Sequence, residues 1–102
     1  MVKRVLVFWR DIPSQVILQR GRRREKLMLS ERFQEAIDRA AMRAGKGSSD
    51  AYLAEWRREA TAFDADGDLR EIALAEANRL EDEFTQERLK ALIRSYGVEA
   101  NT

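Results

Sequence analysis

The chain has no cysteine and no histidine. The first absence excludes disulfides, thiolate metal sites and a cysteine nucleophile. The second removes the commonest general base and the commonest metal ligand. Proline occurs once and glycine five times in 102 residues, which argues against long irregular regions. No apolar run approaches the roughly 20 residues that a membrane-spanning helix needs. The run Val5 to Trp9 is too short for the core of a secretory signal and stops at Arg10 and Asp11. A cytoplasmic location without membrane contact is therefore expected. Glycine-rich dinucleotide and phosphate loops, catalytic triads and paired-carboxylate signatures are also missing. An enzyme would have to work with Asp, Glu, Lys or Tyr alone, and nothing singles one out. The expectation is a non-catalytic protein with no cofactor and no metal.

What is present is charge. Charged residues make up 36% of the chain, above the usual quarter, so much of the surface must be salt-laced helix. The length allows one core, hence one domain over residues 1–102. Net charge is only +1 but is unevenly spread. Residues 1–26 carry eight basic side chains against Asp11 and Glu25. Residues 64–87 carry nine acidic side chains against Arg70 and Arg79. Either the two regions neutralise each other across the fold, or the basic one faces a partner.

The pattern of apolar residues predicts an α+β fold. Lys3 to Arg10 reads as a strand apolar on both faces. Asp11 to Ser14 breaks it, because Pro13 lacks an N–H and should not sit inside a central strand. Gln15 to Arg20 resumes the strand pattern, giving an N-terminal antiparallel hairpin. Gly21 is expected as a bulge or bend, with Arg22 to Leu29 extending the second strand. Ser30 is a candidate N-cap for a helix whose face is Phe33, Ala36, Ile37, Ala40, Ala41 and Ala44, ended by Gly45. Ser49 caps a shorter helix bearing Tyr52, Leu53 and Trp56 and ending at Arg57 and Arg58. Glu59 to Phe63 is ambiguous and fits a third, edge strand. Asp68, with Glu71 three residues on, opens another helix. Its stripe changes phase near Thr85, which predicts a break there and a second segment ended by Gly97. Residues 98–102 are expected to fray. The whole is a small antiparallel sheet with three to four helices on one face.

Two stretches invite a chemical reading. Asp64-Ala65-Asp66-Gly67-Asp68 resembles the start of a calcium loop, but Leu69 stands where the turn needs glycine and Ala75 where a bidentate glutamate is needed. Asp68 as a helix cap explains the pattern without metal. Arg20 to Lys26 could neutralise phosphates, with Phe8 or Trp9 to stack on bases, yet no nucleic-acid module accompanies it. The same arginines could guard a strand edge or dock an acidic protein face, for which Arg and Trp are typical anchors. The candidate interaction surface is therefore Trp9, Arg10, Asp11, Arg20, Arg22, Arg23 and Arg24. Arg10 and Asp11 could instead pair with each other and shape the loop.

The segments F-W-R-D-I-P-S-Q-V, G-R-R-R, E-R-F-Q-E-A-I-D-R-A-A-M-R-A-G and A-Y-L-A-E-W-R-R lie between Phe8 and Arg58. Together they resemble a small bacterial family called the virulence factor domain, and the acidic C-terminal helix fits as well. That name reflects likeness to part of a conserved staphylococcal virulence factor and states no mechanism. The resemblance implies a stand-alone alphaproteobacterial type, associated with folate and corrinoid methyl-transfer systems. It thus implies an accessory protein with a protein partner, and it supplies no catalytic residue. The alternative is a nucleic-acid binder using Arg20 to Lys26.

Overall fold

The computed structural model describes residues 1–99. Its elements run β1 (Val2–Trp9), β2 (Ile12–Arg20), β3 (Arg23–Met28), α1 (Glu31–Arg43), α2 (Ser49–Leu53), β4 (Trp56–Phe63), α3 (Leu69–Glu83) and α4 (Gln86–Arg94). The strands form one sheet in the order β3-β2-β1-β4, antiparallel throughout. This is the α+β class that the sequence predicts.

Residues opposite one another across a sheet share a face, so the register sorts the side chains. Val2, Arg4, Leu6 and Phe8 of β1 point the same way as Val16 and Leu18 of β2. That face carries the helices. Its apolar residues join Phe33 and Ile37 of α1, Leu69, Ala73 and Leu80 of α3 and Leu89 and Leu92 of α4 in one buried cluster. α3 lies along β2 and β3, while α1 packs on α4 and on β2. The alanines of α1 are buried with the cluster, as their spacing predicts. Phe33 and Phe84 meet edge to face at 6.0 Å.

Helix ends follow local chemistry. Asp68 Oδ1 accepts from the Arg70 N–H, and Thr85 Oγ1 accepts from the Arg88 N–H at the expected break between α3 and α4. After α1, Gly45 takes φ +72, and the Gly45 and Lys46 N–H groups donate to Met42 and Ala41 carbonyls. This is the two-bond ending that favours glycine. Ser30 does not cap with its side chain. Its N–H and hydroxyl both donate to Glu81 instead, at 2.7 and 2.8 Å, tying the start of α1 to the end of α3.

Several expectations need correction. Pro13 lies inside β2, which is a central strand. It faces Phe8 where the β1–β2 register shifts, and a bulge is the place a sheet tolerates a residue without an N–H. Gly21, at φ +59, does not bend β2 onward. It reverses the chain, and Arg23–Met28 returns beside β2 as a separate strand. α2 stops at Leu53, and its N-cap is Ser48, not Ser49. Trp56, Arg57 and Arg58 belong to β4, because Trp56 pairs with Trp9 across the sheet. Val98 and Glu99 are tied down, with the Ser95 hydroxyl donating to the Val98 carbonyl and the Glu99 N–H to Asp11. Residues 100–102, the rest of the expected frayed end, lie outside the described residues.

Candidate functional site

The seven residues singled out in the sequence fall at two ends of the molecule. Arg10 and Asp11 form the tight β1–β2 turn, whereas Arg22 sits in the β2–β3 turn, with Arg20 at the end of β2 and Arg23 and Arg24 at the start of β3. β2 separates them by about 26 Å at the usual rise per residue. They do not gather into one surface.

The first end is a clasp. Trp9 is fully buried. Its indole N–H donates to the Tyr52 carbonyl at 2.9 Å, and its ring lies 6.0 Å from the Tyr52 ring. Arg10 adopts φ +52, a left-handed conformation that costs a non-glycine residue about 1–2 kcal/mol. The neighbouring contacts hold it there. The Arg10 N–H donates to the Glu55 carbonyl, and its guanidinium donates to the Tyr96 carbonyl at 2.8 Å and meets Glu55 at 3.3 Å. The guanidinium also lies 5.3 Å from the Trp9 ring. Asp11 donates its N–H to the Gly97 carbonyl and accepts from the Glu99 N–H at 2.6 Å. Arg57 reaches the other Asp11 oxygen at 3.2 Å. Arg10 and Asp11 therefore do not pair with each other. They bind the end of α4 and the start of β4 to the hairpin turn.

At the second end Arg20 is similarly spent. Its guanidinium donates to the carbonyls of Gly67 and Ala65 at 2.7 and 2.9 Å, so it shapes the loop ahead of α3. Glu25 pairs with Arg70, and Arg4 with Glu76 at 3.0 Å. The Arg4–Glu76 pair neutralises the basic strands against the acidic helix in part, whereas Glu25–Arg70 joins the minority charge of each. Burial pushes the Glu76 carboxyl up, but the hydrogen bond from Arg79 and the charge of Arg4 outweigh it and hold it below the ordinary value. Glu81 behaves alike: burial raises it, while the Ser30 N–H, the Ser30 hydroxyl and Arg32 together lower it. Arg22, Arg23 and Arg24 are exposed and have no ion-pair partner among the described residues.

The face of the sheet away from the helices was not visible in the sequence. Lys3, Val5 and Val7 share it with Gln15, Ile17 and Gln19 of β2, with Arg24, Lys26 and Met28 of β3, and with Arg58, Ala60 and Ala62 of β4. Val7 and Ile17 are buried yet stand outside the main core cluster. They are flanked in register by Arg58 and Lys26, whose long aliphatic stems can cover apolar neighbours. Lys3, Lys26, Arg24 and Arg58 are exposed, and none has an ion-pair partner among the described residues. None of the residues that the register places on this face is a carboxylate. Toward the β1–β2 turn end of this face a groove of about 560 Å³ is lined by Val7, Gln15, Trp56, Arg57 and Arg58. The Gln15 Oε1 atom is buried there without a hydrogen-bond partner. The alternation of Lys26 and Met28 with Glu25 and Leu27 is the signal that could have revealed half of this face.

Among the described residues no group of three or more carboxylates is arranged to hold a metal. Among them, too, no helix is long and apolar enough to cross a membrane. A family model described as "Virulence factor" matches residues 7–93. No curated protein and no solved structure matches the chain.

Proposed function

The chain belongs to the virulence factor family, and from that premise we propose that it is a non-catalytic accessory domain that docks a protein partner on its uncovered sheet face. The observation that carries this reading is the unpaired cationic character of that face. Lys3, Arg24, Lys26 and Arg58 surround an apolar centre with no carboxylate among them. Unpaired cations around partly buried apolar side chains favour an acidic protein surface over water. Trp56 and Arg58 are residue types that dominate binding energy when a partner excludes water from them.

This reading moves the interaction surface away from Trp9, Arg10, Asp11 and Arg20, whose polar groups are occupied within the fold. It keeps Arg24, with Arg22 and Arg23 at the rim. It needs no catalytic residue and no cofactor. The methyl-transfer association that the sequence resemblance implies offers one cytoplasmic setting for such an accessory role.

Nucleic acid is the second reading, and the same unpaired cations favour it. The centre of the face weighs against it. Single strands are usually held by bases stacked on aromatic rings, and here the middle positions are Val5, Val7, Ile17, Ala60 and Ala62.

The test is quantitative capture from cells that express the protein, comparing wild type with the double variant K26E/R58E, with and without nuclease. The expected result is a stoichiometric protein partner, indifferent to nuclease and lost from the variant. Equal recovery by both forms would remove the docking face. Recovery that depends on nucleic acid, with affinity falling steeply as salt rises, would favour the second reading.

A further inference from the structure

The two edges of the sheet are guarded unequally. β3 places Arg23, Arg24, Glu25 and Lys26 along its edge, and α3 packs beside it. Such charge blunts strand-to-strand pairing. β4 is charged only in its first half, at Arg57, Arg58 and Glu59, and among the described residues no helix packs extensively beside it. It is extensively packed only against β1, and its pairing with β1 runs without a shift from Val2 opposite Phe63 to Trp9 opposite Trp56. It is therefore a regular, unbulged edge. Ala60, Thr61 and Ala62 are exposed, uncharged and small. No proline interrupts the strand. Among the described residues the peptide groups on its outer side have no strand partner, and unpaired groups of this kind are a template for another strand.

We propose that β4 is the surface on which two copies of this chain join, antiparallel and edge to edge, about a two-fold axis at Ala60. Such an axis stands perpendicular to the sheet and keeps the helices of both copies on one side. Opposed residues must then share a face, which excludes registers centred between residues. Among those left, a centre at Arg58 or Glu59 sets like charges against each other, and a centre at Thr61 pairs only residues 59–63 of the strand. A centre at Ala60 sets Ala60 against Ala60, Glu59 against Thr61, Arg58 against Ala62 and Arg57 against Phe63. It opposes no like charges and pairs residues 57–63 of both copies. The joined sheet has eight strands, and the two cationic faces become one continuous surface.

The test is sedimentation of the full chain over a wide concentration range. The wild-type mass is expected to rise from 11.8 kDa toward twice that value. A60K and A60E each place like charges at the axis and should weaken association by about fivefold or more. An equimolar mixture of the two should restore it, because opposite charges then meet. Ala60 is exposed, so both variants should keep the wild-type circular dichroism spectrum. A62E is a second probe, expected to tighten the pair by setting a carboxylate opposite Arg58 of the other copy. A wild-type chain that stays at 11.8 kDa throughout would overturn the proposal. So would a mixture that associates no better than A60K alone. Mass is read without any partner, so this outcome is separate from that of the docking-face test.

Discussion

Gly97→Ala should destabilise the protein far more than Gly21→Ala, although both glycines sit at positive φ. Gly97 has φ +84 and Gly21 φ +59. Forcing alanine into that region costs roughly 1 kcal/mol at either site. The surroundings then separate them. A Cβ on Gly21 would meet nothing within 4 Å. A Cβ on Gly97 would stand 2.8 Å from Trp9 Cζ3 and 3.3 Å from Cε3. Trp9 has no exposed surface, and its indole N–H is fixed on the Tyr52 carbonyl, so the ring cannot retreat freely. Overpacking a filled site of this kind costs about 1–3 kcal/mol. The expected totals are about 2–4 kcal/mol for Gly97→Ala and about 1 for Gly21→Ala. Urea denaturation followed by tryptophan fluorescence would measure both. By melting temperature, Gly97→Ala should fall by roughly 8–30 °C at the usual slope for a domain of this size. If Gly97→Ala proves no worse than Gly21→Ala, the clasp between the hairpin turn and the end of α4 does not carry stability as argued.

Two further outcomes follow from the same contacts. Trp9→Ala should cost about 3–5 kcal/mol, the usual penalty for emptying a buried aromatic site, and should appear as loss of folding rather than selective loss of a partner. Thermal melts of that variant with and without the captured partner would check it. Stability should also fall with acid. Glu76 and Glu81 have folded-state values held below the ordinary carboxylate value of 4.5. A lowered folded value means that the unfolded chain binds the proton first, so the stabilisation is complete above about pH 4.5 and is lost as pH drops through the folded values. Melting curves from neutral pH downward should show this, and replacing both glutamates with glutamine should flatten that part of the dependence.

The longer helices and several of their ends were legible because their signals are local. Asp68, Thr85 and Gly45 act within a few residues of where they stand, so spacing alone located them. The first hairpin was visible for the same reason. Other features depend on pairing between distant residues. Gly21 fits a bend as well as a reversal, and the charged run after it has too few apolar residues to show which. Tyr52, Leu53 and Trp56 have helical spacing, yet Trp56 is drawn into β4 by its place opposite Trp9. The function of Trp9 was hidden similarly. An aromatic beside Arg10 reads as core filler or as a surface anchor, and Gly97 against its ring is what decides for the core. The cationic face could not be read in advance either, since it gathers Lys3, Lys26 and Arg58 from three strands whose register the sequence does not state.

The chain's four lysines make a direct test of the docking face. Lys3 and Lys26 stand on the open sheet face, whereas Lys90 lies on α4 and Lys46 follows α1 near Glu55. Lysine acetylation footprinting, read by mass spectrometry with the partner bound and absent, measures the accessibility of each. Bound partner is expected to protect Lys3 and Lys26 and to leave Lys90 and Lys46 as reactive as in the free protein. Protection of Lys90 or Lys46, with Lys3 and Lys26 unchanged, would place the partner on the helical side and contradict the proposed docking face.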